Sequence, residues 1–205
     1  MNHVVLVHPP ITKPGEPPAG IARLKGALQN HNIECTLLDA NLDGIRFLLN
    51  QKVESDSAWT KQAAKSVDRH IGEIRSGSAF KTINHYNRIV RDLNRTLLAA
   101  GKPFHYDLSL GDCRYRKLSP AKSGDLLSCA ENPRLSPFYN YYVQELVPQI
   151  ERLSPDLIGL SINFLSQAFG SFALIGVLKK YFPKTEIVIG GGLVTTWKAN
   201  SNWKN

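Results

Sequence analysis

The sequence predicts an α/β protein built on a doubly wound parallel sheet, with a mostly helical insertion in its middle. Three observations carry this. Four short apolar runs, near residues 3–7, 33–38, 156–162 and 186–190, have the continuous hydrophobic character of strands buried on both faces. Helical periodicity, not a tight turn, separates each run from the next. Residues 52–137 change composition and interrupt that rhythm.

In chain order, Val4–Val7 is apolar and ends at His8-Pro9-Pro10. Ile21, Leu24 and Leu28 then fall on one helical face. Asn30–Asn32 break that helix, and Ile33–Leu38 reads as the second strand, which completes a strand–helix–strand unit in about 36 residues. Asp39-Ala40-Asn41 ends the strand, and a helix is expected over Leu42–Leu49. Within the insertion, Trp59, Ala63, Val67, Ile71 and Ile74 mark one amphipathic helix. Ile83, Tyr86, Val90, Leu93 and Leu97 mark another, stopped by Gly101-Lys102-Pro103. Residues 103–137, rich in Pro, Ser, Gly and charge, read as loop.

The αβ rhythm then resumes. Tyr142, Val143, Leu146, Ile150 and Leu153 form a helical face in which Pro148 is expected to cause a kink. A strand near Asp156–Ile162, a helix over Ala168–Tyr181, a strand over Glu186–Ile189 and a last helix from about Leu193 follow. The expected strand order is 2-1-3-4, flavodoxin-like or Rossmann-like. All four strands are expected to be buried. Sheets of this kind usually carry a fifth strand and a closing helix, so with "WKANSNWKN" following soon after the fourth the last strand reads as truncated and the sequence as part of a longer protein. The domain division is 1–51 plus 138–205 for the α/β unit and 52–137 for the insertion.

Composition narrows the class. With 42% hydrophobic and 20% charged residues the balance is that of an ordinary globular protein. No apolar run approaches the roughly 20 residues of a membrane span, and the N-terminus lacks signal-peptide features. Cys35, Cys113 and Cys129 are widely spaced and form no CxxC pair, which points to a reduced, cytoplasmic protein. Of the net charge of +8, residues 52–135 hold +6, with 15 Lys/Arg against 9 Asp/Glu. That excess carries no nucleic-acid-binding motif and reads first as a solvated helical face, so neither nucleic acid nor membrane is an expected partner. His70, His85, His105, Asp107 and Asp112 show no metal-ligand spacing.

In an open parallel sheet, ligands sit beyond the C-terminal strand ends. Three segments reach that edge: residues 8–20, 161–170 and 190–197. A dinucleotide or phosphate loop would need a GxGxxG-like turn aiming backbone N–H groups at phosphate. Here five of the ten residues from Pro9 to Pro18 are proline and offer no N–H. A stiff, donor-poor loop suits a broad apolar ligand face. Gly190, Gly191 and Gly192 would let a bulky group approach the backbone, or simply make a tight strand-to-helix turn. Ser161, Asn163, Ser166 and Gln167 would supply small polar groups, with Ser166 also a candidate helix N-cap.

These stretches carry a resemblance. "VVLVHPP…EPPAGIARLKGALQNHNIECTLLDAN" and "PDLIGLSINFLSQAFGSFALIGVLKKYFPKTEIVIGGG" resemble the N-terminal cobalamin-binding domain of cobalamin-dependent radical SAM enzymes. The resemblance covers about residues 3–50 and 140–197 and leaves the insertion out. It implies that Pro9, Pro10 and the loop through Gly20 form one wall of a corrin site. It places Ser161, Asn163 and Ser166 near the nucleotide tail or the lower corrin face, and makes Gly190, Gly191 and Gly192 give the tail room. The DxHxxG motif that supplies a cobalt-ligating histidine in methionine-synthase-like domains is absent, and His8 is followed by no such spacing. The CxxxCxxC signature of a radical SAM domain is absent too, so the [4Fe–4S] cluster and SAM would belong to a C-terminal part outside this sequence.

The expected function is therefore a binding module, without a catalytic site of its own, that positions a corrinoid for methyl transfer or related radical chemistry. Its expected partners are the corrinoid and its own radical SAM domain. Two alternatives stand beside it: a vestigial scaffold domain that binds no ligand, and a nucleotide-binding or transferase-type α/β domain.

Overall fold

The computed structural model describes residues 3–199. The α/β unit opens with strand β1 (His3–Val7), helix α1 (Ala19–Asn30), strand β2 (Glu34–Leu38) and helix α2 (Ala40–Leu49). The insertion contributes α3 (Ala58–Lys65), α4 (Val67–Arg75), α5 (Ile83–Gly101), the short strands β3 (Tyr106–Leu108) and β4 (Cys113–Tyr115), and α6 (Ser123–Glu131). A continuous helical run then passes through α7 (Tyr139–Tyr141), a π-turn (Tyr142–Leu146) and α8 (Val147–Leu153). Strand β5 (Leu157–Ser161), helix α9 (Leu165–Tyr181), strand β6 (Glu186–Gly190) and helix α10 (Gly192–Ala199) complete the described chain.

The main sheet has the order β2-β1-β5-β6 with every pair parallel, which is the doubly wound order expected. Local chemistry sets its boundaries. Asp39 caps α2 by accepting from the Leu42 N–H at 3.0 Å. After α1 the chain reverses at Asn32, whose φ of 56° lies in the left-handed region that asparagine tolerates. No described helix is long and apolar enough to cross a membrane.

Alternation along the strands gives the sheet two unequal sides. Val5, Val7, Ile158 and Leu160 join a large core that runs through α5, α9 and the insertion. Val4, Leu6 and Leu157 join a small cluster with Ile21 and Leu28 of α1. Because α9 lies between the sheet and the insertion it is buried all round, with Phe169, Ala173, Leu174 and Val177 enclosed. The insertion docks through aromatic packing. Tyr106 and Tyr115 stack with centroids 4.3 Å apart, and Phe169 meets both edge-on. Tyr142 donates from its hydroxyl to the Gly170 carbonyl at 3.0 Å.

Four expectations are corrected. Residues 103–137 are not loop: β3 and β4 form an antiparallel hairpin and α6 is a helix, because Tyr106, Leu108, Cys113 and Tyr115 find apolar partners on α5 and α9 that local periodicity cannot show. The single helix from Trp59 to Ile74 is two, broken at Ser66, and Trp59 is exposed. The helical face over residues 142–153 is not one α-helix: a π-turn (Tyr142–Leu146) precedes α8, in which Pro148 is the second residue. Finally, β6 is not buried: Val188 and Ile189 are 45% and 37% exposed, because no described strand pairs with its outer edge.

Candidate functional site

The helices after β1 and β5 leave toward opposite faces of the sheet, which makes the junction of these neighbouring strands the switch point where loops splay apart. A crevice of about 260 Å³ opens there, lined by His8 and Thr12 of the β1–α1 loop, Gly20 and Ile21 of α1, and Ser161 and Asn163 of the β5–α9 loop. A second, apolar slot of about 540 Å³ runs down the sheet face under α1. Ile21, Leu24 and Leu28 wall it, while Leu6, Gly159 and Val188, side by side on adjacent strands, floor it. Ile21 and Ser161 line both spaces, so slot and crevice adjoin.

Glycine keeps the floor low. A Cβ at Gly159 would stand 2.6 Å from Leu6 Cδ2. Gly191 is required by conformation as well as space: its φ is 106°, and a methyl there would overlap the Ile162 carbonyl. At Gly190 a Cβ meets nothing within 4 Å, so that position opens onto the slot.

The loops are held by polar side chains, one fully buried and two half-buried. Gln167, 0% exposed, donates from Nε2 to the Pro9 carbonyl at 2.7 Å. Its Oε1 accepts from the Asn163 N–H at 2.8 Å and the Phe164 N–H at 3.2 Å, which satisfies the start of α9. Asn163 Oδ1 accepts from the Gly192 N–H at 3.0 Å, while its Nδ2 donates to Ser161 Oγ at 3.1 Å. Ser166 Oγ donates to the Ile11 carbonyl at 2.8 Å. Three residues of the middle segment, Asn163, Ser166 and Gln167, thus tie together all three segments that reach the sheet edge.

Among the residues expected at a site, Gly20, Ser161, Asn163, Gly190 and Gly191 line the slot or crevice. Pro9 and Gln167 bond each other behind it. The Pro10 carbonyl packs on α9, 2.6 Å from where a Cβ of Gly170 would stand. Ser166 lies one residue inside α9, with Phe164 at the N-cap position, and bonds the first loop. Gly192 spends its N–H on Asn163. Sequence reasoning missed Leu24, Leu28, Leu6, Gly159 and Val188. The glycine in "LIGLS" was the available signal, since period two puts Gly159 on the same face as Leu157 and Ser161.

His8 is buried at the end of β1, with Nε2 3.1 Å from Thr12 Oγ1 and Nδ1 without a partner among the described residues. Burial holds its imidazole below the ordinary histidine value, with the Asp39 carboxylate opposing. The folded state therefore binds fewer protons than the unfolded chain. Stability is expected to be full above about pH 6.5 and to fall as pH drops toward the depressed folded value. Urea midpoints at pH 7.5 and 5.5 check this: the fall should be smaller in His8→Gln than in the wild type.

In the insertion, His70 Nε2 lies 3.2 Å from Asp92, and Glu73 Oε2 lies 3.5 Å from His70 Nδ1 and 3.3 Å from His85 Nε2. Carboxylates take both His70 nitrogens, and no group of described residues is arranged to hold a metal ion. No family model, curated protein or solved structure matches the chain.

Proposed function

We propose that this chain binds a cobalamin at the C-terminal edge of its sheet and positions it for the chemistry of a radical SAM domain. The observation that supports the reading is the apolar slot of about 540 Å³ beside the switch point, floored by Gly159 and edged by Gly190 and Gly191. Its volume lies in the range of sites that bury a flat organic group. Its place fits the nucleotide tail, with the corrin above the strand ends between the proline-rich loop and Phe164. In this reading Ile21, Leu24 and Leu28 exclude water from the tail, and Ser161 stands at its mouth. When bound, the corrinoid supplies methyl transfer or related radical chemistry. Gln167 and Asn163 act indirectly, by fixing the loops.

Titration of the chain with hydroxocobalamin, followed by ultraviolet–visible absorbance, tests this. A saturable shift of the corrin bands is expected. Gly159→Val raises the slot floor against Leu6, a flexible side-chain end, and is expected to weaken cobalamin binding at least tenfold while circular dichroism stays that of the wild type. No spectral change at saturating cobalamin would overturn the reading and leave the scaffold and nucleotide-binding alternatives.

A further inference from the structure

The switch-point crevice presents hydrogen-bond donors without matching acceptors. Helix α1 has twelve residues, and its N-cap position is Pro18, which offers no capping side chain. The Ala19 and Ala22 N–H groups bond the Pro17 and Pro18 carbonyls. The N–H groups of Gly20 and Ile21 have no acceptor among the described residues. Gly20 adds no side chain to block approach, and a Cβ there would lie an ordinary 3.7 Å from Ser161 Oγ.

A second, independent observation comes from the other wall. His8 is 4% exposed, it is among the residues lining the same crevice, and its buried Nδ1 has no partner among the described residues. Which tautomer it holds follows from Thr12. Both backbone polar groups of Thr12 are clamped by the buried Asn41: its N–H donates to Oδ1 at 2.8 Å and its carbonyl accepts from Nδ2 at 3.2 Å. Among the described residues the Thr12 hydroxyl finds only His8 Nε2. If that hydroxyl donates, one buried group stays unpaired, an Nδ1–H. If Nε2 donates instead, two do, the hydroxyl proton and the Nδ1 lone pair. The first arrangement is favoured because each unpaired buried group costs about 1–3 kcal/mol. Ser161 Oγ accepts from Asn163, and its own proton has no acceptor among the described residues.

Gly20 N–H, Ile21 N–H, His8 Nδ1–H and Ser161 O–H therefore all lack acceptors among the described residues, and all four residues line one small crevice. Its charge setting is modest. Among the described residues no lysine or arginine lines it, and Glu16 at its rim is paired with Lys13 at 3.2 Å. The partial positive charge of a helix N-terminus suits one negative charge better than two.

We infer that this crevice is an oxyanion subsite for a singly charged group, a carboxylate or a phosphodiester. The proline-rich loop is donor-poor, but the first turn of the helix after it is not. The inference stands without cobalamin. If the chain binds cobalamin, the phosphodiester of the nucleotide loop is one source of such a group, and a free small-molecule anion is the other.

The test is nuclear magnetic resonance on the ¹⁵N-labelled chain, titrated separately with dimethyl phosphate and acetate. Saturable shifts of the Gly20 and Ile21 amides are expected for at least one anion, with a midpoint of about 1–10 mM, as befits so small a ligand. His8 should be the Nδ1–H tautomer, with its Nδ1 resonance moving at the same midpoint. Shifts that do not saturate, or that centre on the basic insertion, would overturn the inference, and so would an Nε2–H tautomer. Hydroxocobalamin moving the two amides where cobinamide, which lacks the nucleotide loop, does not would assign the phosphodiester to cobalamin. Anion shifts with no response to any corrinoid would keep the subsite and remove the cobalamin reading.

Discussion

Gln167→Ala is expected to destabilise the protein by about 3–5 kcal/mol, because it orphans up to three backbone groups at about 1–3 kcal/mol each. The carbonyl of the buried Pro9 loses its donor, and the N–H groups of Asn163 and Phe164 lose their acceptor. In a chain of this size that should lower the midpoint of thermal unfolding by about 10 °C, readable by circular dichroism. Gln167→Glu sharpens the claim. A carboxylate still accepts from Asn163 and Phe164, but it faces the Pro9 carbonyl without a proton to donate. Protonation restores that donor, so the variant's folded state favours the protonated acid. Gln167→Glu should lie closer to the wild type at pH 5 than at pH 7, whereas the deficit of Gln167→Ala should change little between them. Equal deficits for both variants at both values would mean that the side chain fills space and does not bridge the loops.

Gly176→Ala is expected to cost about 3 kcal/mol, although alanine favours a helix interior over glycine by about 1 kcal/mol. Gly176 lies where α9 crosses α6, and a methyl there would overlap the backbone carbonyl of Ala130. Backbone cannot step aside as a side chain can, so the helices must separate. The damage should fall on the insertion first: hydrogen exchange should speed up in Ser123–Glu131 while the amides of β1 and β5 stay protected. A variant as stable as the wild type, with unchanged exchange in α6, would show that this close crossing is absent in solution.

Both predictions rest on contacts made far from home. The strands were legible because Val4–Val7, the run to Leu38, Leu157–Ser161 and Glu186–Gly190 carry their signal within a few residues. The insertion hairpin was not, because Tyr106, Cys113 and Tyr115 are short apolar points in polar sequence, organised only by α5 and α9. The acceptor of Gln167 Nε2 lies 158 residues away, and that of Ser166 Oγ 155 residues away. Nothing local distinguishes a glutamine that braces two loops from one that faces a ligand.

By itself, the sequence determined the parallel α/β sheet, its strand order, and the two loops and glycine turn that meet at its edge. These follow from hydrophobic period and from the stereochemistry of proline and glycine, which act over short stretches of chain. Only the tertiary structure decided what each polar residue does there. Packing gave Gln167, Ser166 and Asn163 to the fold, because a polar group shielded from water takes the nearest partner the packed chain offers. The same packing left the Gly20, Ile21 and His8 donors without partners among the described residues, beside an apolar slot. The proline-rich loop supplies a stiff wall, and the helix that follows it supplies the hydrogen bonds.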